Sequence, residues 1–163
     1  MAYWINAYNA FTIKLITENY PVKSIKDINK DSSPWDLRFI VINDRTYSLG
    51  EIENQILKKE FNDPRFHFAI NCASISCPKL LNEAYQPATL NRQLDYAARD
   101  FINDETRNRI SPGSAQLSSV FEWYNGDFTR EGTLIDFINR FSETKIGSNA
   151  KVKYLPYNWN LNE

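Results

Sequence analysis

The chain has 163 residues and a mass of 19.0 kDa, one domain's worth of sequence with enough length to bury a core without metal or disulfide support. Its 19 Lys and Arg against 20 Asp and Glu leave a net charge of -1, which argues against nucleic-acid binding through bulk charge. With 42% hydrophobic and 24% charged residues the composition is globular, and no run reaches the ~18 apolar residues of a membrane span.

Residues 2–19 read as a helix, with Trp4, Tyr8, Phe11 and Leu15 recurring at helical period and Pro21 stopping it. The pattern begins almost at residue 1 with no cap before it. The reading is therefore of an N-terminally truncated domain, and a targeting segment lost upstream would allow an extracytoplasmic location. Residues 27–34, rich in Pro, Ser and Asp, read as a loop. Residues 39–42 and 46–48 flank turn residues Asn43 and Asp44 and read as a β-hairpin. Ser48 and Glu51 have capping-box spacing ahead of a helix over 49–60, with Ile52, Ile56 and Leu57 inward. Glu51 and Glu53 are read as cap and solvated face. Asp63-Pro64 suits a helix start, yet residues 66–72 also alternate at strand period, and the segment is read as helical or turn-rich.

Thr89 is read as the cap of a helix over 90–103, with Leu90, Leu94, Ala97, Ala98 and Phe101 inward. Residues 108–115 read as a loop and 116–118 as a short strand. Ser119 and Glu122 repeat the capping-box spacing before a short helix through Trp123 and Tyr124. Thr133 starts another helix, with Leu134, Phe137, Ile138 and Phe141 inward, and 152–155 reads as a strand. The tail 156–159 is too aromatic for a free end and is expected to dock on the core. The sum is an α+β, helix-dominated single domain over residues 1–163, with small antiparallel strands.

The one histidine and both cysteines fall together as His67-x4-Cys72-x4-Cys77. With Pro78 at the first position of a helix, Cys77 would take the N-cap, where free amides and the helix dipole lower a thiol's pKa. His67 would then serve as general base or cationic partner. Cys77 is preferred over Cys72 as nucleophile. Residues 67 and 72 face apart in either a helix or a strand, whereas the turn over 73–76 lets the chain fold back. Asn6 and Asn9, one face apart by three residues on the first helix, are candidates to orient the imidazole, as an Asn does in papain-like sites, and Asp127 is the alternative.

A structural reading stands beside this one. A Cys next to Ala and Ile is ordinarily a small core residue, and a His between two Phe a satisfied, half-buried one. The cysteines admit three states: reduced thiols, one local bridge, or zinc ligands beside His67 with Asp63 or Glu83. The spacing matches neither a common zinc finger nor a C-x-x-C redox motif. No Gly-rich phosphate loop is present, and no cofactor is expected. Trp35, Trp123 and Trp159 are read as core, or else as a groove for a sugar or peptide.

Several ordered motifs resemble one family. They are Trp4-Ile-Asn-x-Tyr-Asn9, Ser48-Leu-x-x-Ile52-Glu53-x-x-Ile56-Leu57, and Asp63-Pro-Arg-x-His67-Phe-Ala-x-x-Cys72-Ala-Ser-x-Ser-Cys77-Pro. Gln93-Leu-Asp-x-Ala-Ala, Trp123-Tyr-x-x-Asp127-Phe and Tyr154-Leu-Pro-Tyr-x-Trp159-x-Leu-Asn162 complete the series. Over residues 3–162 the chain resembles domain-of-unknown-function family 547. The resemblance implies a domain of bacteria, plants and animals, sometimes beside signal peptides, coiled coils or redox domains, with no established activity. The family's domain usually extends upstream of the Trp-Ile-Asn motif, in line with a truncated start. Its most recognisable motif falls on His67, Cys72, Ser74, Cys77 and Pro78.

The functional expectation is a Cys-His thiol site, hydrolase- or acyl-transferase-like, built from His67, Cys77, Cys72, Asn6 and Asn9. Its pocket would be lined by the first helix, the 67–77 segment and the C-terminal tail. The alternative is an interaction domain with a protein or peptide partner, in which His67, Cys72 and Cys77 are core or pocket residues. It predicts an exposed apolar patch instead of a concave pocket.

Overall fold

The computed structural model describes residues 1–163. The first helix, α1 (Ala2–Asn19), buries Ala2, Ile5, Tyr8, Thr12 and Leu15. Tyr8 and Leu15 belong to the stripe read from sequence, while Trp4 and Phe11 pack partly buried along its edge. The helix ends at Tyr20, whose backbone is extended ahead of Pro21, as the proline ring demands of its predecessor.

Strands β1 (Ile40–Ile42) and β2 (Arg45–Tyr47) pair antiparallel. Asn43 and Asp44 between them have φ of 47° and 62°, the two left-handed residues of the tight turn that matches strand twist. Ser48 then closes the capping box: its hydroxyl accepts from the Glu51 amide at 3.1 Å, and the Glu51 carboxylate accepts from the Ser48 amide at 2.9 Å. Ser48→Ala is expected to lower stability by about 1 kcal/mol, seen as a lower urea midpoint at unchanged slope.

Behind this cap, α2 (Leu49–Glu51) continues as a π-helix, Ile52–Phe61. The helix expected over 49–60 therefore forms, but with widened turns of a kind often found at functional sites. Asn62, left-handed at φ 53°, ends it. Asp63 caps a 3-10 helix, Pro64–Phe68, through the Arg65 amide at 3.0 Å, so the ambiguous segment is helical at its start and irregular beyond.

No helix starts at Pro78, so Cys77 is not an N-cap. The first two carbonyls that such a helix would use are taken by side chains. Arg107 donates to that of Cys77 at 2.9 Å, and the Asn71 amide donates to that of Pro78 at 2.6 Å, while Arg107 also holds the Ile75 carbonyl at 3.0 Å.

Helix α3 (Leu90–Asn103) buries Leu94, Ala97, Ala98 and Phe101 as expected, and also Gln93 and Ile102. Leu90 is half-buried, and Thr89 makes no cap bond because its hydroxyl donates to the Gln93 side chain at 3.1 Å. The stretch read as a loop over 108–115 is a hairpin: β3 (Arg109–Ser111) pairs antiparallel with β4 (Ser114–Ser118). Its serines have low β-propensity, and side-chain bonds from Asn108 to Ser118 and Phe101 hold its base.

Three short helices follow: α4 (Val120–Trp123), α5 (Asn125–Phe128) and α6 (Leu134–Phe141). Thr133 and Asp136 form a capping box on α6. Ser119 forms none, since its hydroxyl donates instead to the Leu155 carbonyl at 2.6 Å. Strand β5 (Lys151–Leu155) adds to β4 in parallel, giving a three-stranded sheet ordered β3-β4-β5.

The core falls into two apolar clusters. The first gathers α1, the β1–β2 hairpin and the π-helix and includes Phe66. The second gathers α3, β4 and α4 to α6 and includes Phe68. One 3-10 turn thus anchors a phenylalanine in each cluster and leaves His67 at the seam between them. No helix is long and apolar enough to cross a membrane.

Candidate functional site

A cavity of about 380 Å³ opens at this seam. Its wall includes His67, Glu53, Cys72, Cys77, Tyr157 and Trp123. A wider polar cleft of about 620 Å³ lies on the other side of Asp127, but its guanidinium groups are engaged. Arg65 pairs with Asp63 and Asp95, Arg130 with Asp127, and Arg140 with Glu131.

His67 is only 4% exposed. Its Nε2 lies 3.0 Å from Asp127 Oδ2, and its ring is held between Phe66 and Tyr124, each with a ring centroid 4.0 Å away. Asp127 also takes Lys58 at 3.1 Å and Arg130 at 2.5 Å. Burial pushes the Asp127 carboxyl up, but the bonds and charges of His67 and Lys58 outweigh it and hold it well below the usual carboxylate range. Burial lowers the pKa of His67, overriding the Asp127 hydrogen bond and the Glu53 charge. A neutral imidazole facing an ionised carboxylate must carry its proton on Nε2, since the carboxylate only accepts. Nδ1 then holds the lone pair, and the hydrogen bond of the ring to the protein is the one from Nε2 to Asp127.

Cys72 and Cys77 are joined in a disulfide, with Cα atoms 6.2 Å apart. Of the three states open to the sequence, this is the local bridge. Cys77 Sγ accepts from the Cys72 amide at 2.9 Å, with the hydroxyls of Tyr157 and Ser74 at 3.2 and 3.3 Å. The loop between the cysteines turns at Ala73, left-handed at φ 61°, where the Asn71 side chain accepts from the Ala73 amide at 2.6 Å. No group of three or more His, Cys, Asp or Glu side chains is arranged to hold a metal ion. The other residues of the zinc alternative are committed elsewhere, Asp63 to Arg65 and Glu83 to Gln93.

Asn6 and Asn9 do not orient the imidazole. Asn6 is bonded to both the amide and the carbonyl of Tyr85, each at 2.9 Å. Asn9 spans the Ala69 carbonyl and the Asn71 amide, again at 2.9 Å. Their amides are used up in holding the irregular chain after His67 onto α1, and the bond to His67 comes from Asp127.

The tail docks as expected. Asn160 and Ala73 carbonyls accept from the Ile75 and Asn162 amides at 2.8 and 3.1 Å, so the tail clamps the cysteine loop and brings Tyr157 over the sulfurs. Burial pushes the Tyr157 hydroxyl up to about 12, leaving it a neutral donor.

Glu53, expected on the solvated face, is buried. Its carboxylate accepts from Tyr8 at 3.1 Å and from Tyr124 at 2.5 Å, and Trp35 Nε1 donates to Tyr8 at 3.0 Å. A signal was present: Leu49, Ile52, Glu53, Ile56 and Leu57 make one stripe at i, i+3, i+4, i+7 and i+8.

The family model described as "Protein of unknown function, DUF547" matches residues 1–102. The chain belongs to this family. No curated protein and no solved structure matches it. The matched part of this DUF547 domain holds Asn6, Asn9, Glu53, His67 and both cysteines. Asp127, Tyr157, Trp123 and Trp159 lie beyond it, so the DUF547 cavity is closed by residues from outside the matched stretch.

Proposed function

We propose that the cavity is a latent thiol site for acyl transfer or acyl hydrolysis, with Cys77 as nucleophile and His67 as general base. One observation carries this reading: the His67 imidazole, oriented by Asp127, and the cysteine pair line the same cavity. In the disulfide state neither sulfur is nucleophilic, so a dithiol reductant must first open it. The Cys72 amide and the hydroxyls of Ser74 and Tyr157 then favour a thiolate on Cys77.

The thiol proton passes to His67 Nδ1, and the imidazolium is steadied by Asp127 through Nε2. The thiolate attacks an acyl carbon and a thioester forms. The leaving group departs with the proton from His67. Water, or another acceptor deprotonated by His67, then releases the acyl group and restores the thiol. Asn6 and Asn9 act as positioning residues, since they hold the segment that carries the pair.

p-Nitrophenyl acetate serves as a generic acyl donor. Reduced protein is expected to release p-nitrophenolate in a burst of about one equivalent and to carry an acetyl group on Cys77. The oxidised protein and Cys77→Ser should lack both, while Cys72→Ser should show the burst without added reductant. Equal rates from oxidised and reduced protein overturn the reading.

A further inference from the structure

We infer that the cavity takes a substrate bearing an alkylammonium group, held between its aromatic wall and the Glu53 carboxylate. The inference rests on the cavity being a substrate site, and it names the class of substrate.

Charge is the first ground. No Lys or Arg lines the cavity, and the Lys26 ammonium at its wall is held over the Trp159 ring. Glu53 is 6% exposed and takes part in none of the ion pairs of the chain. It is satisfied only by two tyrosine hydroxyls. Both of these phenols are pushed up, chiefly by burial, and stay neutral donors, so the carboxylate charge is solvated but uncompensated. The nearby cation, Lys58, sits 5.9 Å from the Tyr124 ring centroid and is tied to Asp127. The imidazole of His67 is neutral, for the reasons given above. A cation entering the cavity would therefore find one buried and unmatched negative charge.

The wall is the second ground. Trp123 stacks on Trp159 with centroids 5.7 Å apart, and Tyr157 packs against both at 4.8 and 4.5 Å. Trp35 meets Trp159 edge-on at 5.7 Å. Such ring faces attract ammonium groups, and indole does so best. Trp159 already holds one cation, with Lys26 Nζ 3.6 Å from its ring centroid. Trp123 remains 48% exposed at the rim, where an incoming side chain would meet it first. Aromatic faces together with a single carboxylate form a cage for an ammonium and a poor site for a phosphate, carboxylate or sulfate.

The test uses the disulfide form, so it is independent of thiol chemistry. Tryptophan fluorescence is followed while the protein is titrated with n-butylammonium chloride, with its neutral counterpart 1-butanol, and with a blocked Gly-Lys-Gly tripeptide. The amine is expected to give a saturable change, with 1-butanol at least about tenfold weaker. Glu53→Gln is expected to erase that preference. Trp123→Ala is expected to weaken the amine severalfold. Tighter binding of the tripeptide than of the free amine assigns the ammonium to a lysine side chain, and the reverse assigns it to a small free amine. Equal binding of amine and alcohol by the unaltered protein overturns the inference without any variant having to fold. An amine preference combined with no acetyl burst leaves this inference standing and removes the thiol reading. The opposite pair of results does the reverse.

Discussion

Asp127→Asn is expected to lower the acyl-burst rate of the reduced protein by about 100-fold or more, and its stability by about 2–3 kcal/mol. The kinetic loss follows from the tautomer. An asparagine amide can donate to His67 Nε2, which moves the imidazole proton to Nδ1 and removes the lone pair that would take the thiol proton. The stability loss follows from what Asp127 compensates, namely His67, Lys58 and Arg130 around one buried carboxylate.

The same residue sets the response to acid. Asp127 titrates lower in the folded chain than in the unfolded one, so its contribution is complete above about pH 4 and disappears as pH falls through the folded value. His67 also titrates low when folded. The unfolded chain takes up that proton first, and stability declines as pH drops below about 6.5. Both effects have the same sign. Thermal unfolding midpoints followed downward from about pH 8 should fall in two steps for the unaltered protein, the first setting in near about pH 6.5 and the second near about pH 4 and continuing to the acid end. The variant should show a smaller lower step, the remainder coming from Glu51, Asp104 and Asp136, which are also held low. An unchanged lower step, or an unchanged burst rate, would remove Asp127 from the role given to it.

Phe68→Ala is expected to cost about 3–5 kcal/mol, a large share of the total stability of a domain this size. Phe68 is fully buried, and the rings of Phe101, Phe121, Phe128 and Phe137 lie 5.2 to 6.3 Å from it, centroid to centroid. Removing it leaves a cavity at the centre of the second cluster, where the four surrounding rings cannot all collapse inward. It also frees one of the two anchors that hold His67 at the seam. The urea midpoint and the linear-extrapolated stability check this, and a loss below about 1 kcal/mol would mean the site relaxes freely.

Local features were legible because their causes are local. The helix over residues 2–19, the turn at Asn43 and Asp44, the Ser48–Glu51 cap and the inward face of α3 each follow from spacing, backbone preference or a bond between near neighbours. Where long-range partners intervened, local reading failed. Ser119 abandons its capping box for the carbonyl of Leu155, and the Cys77-Pro78 helix start is lost to Arg107 and Asn71. The hairpin at Arg109–Ser118 was masked by serines whose pairing is held from Asn108.

The sequence by itself determined where histidine- or thiol-dependent chemistry would have to lie. With one imidazole and two sulfurs inside eleven residues, any His-dependent mechanism depends on residue 67. Only the tertiary structure decided which groups meet there. Asp127 comes from 60 positions away to fix the imidazole, while Asn6 and Asn9 are spent on backbone. Tyr157 returns from the tail to cover the disulfide, and Glu53 turns inward between Tyr8 and Tyr124. Hydrogen-bond partners of buried groups are chosen by which segments two apolar clusters bring together as they pack, and neither periodicity nor spacing carries that information.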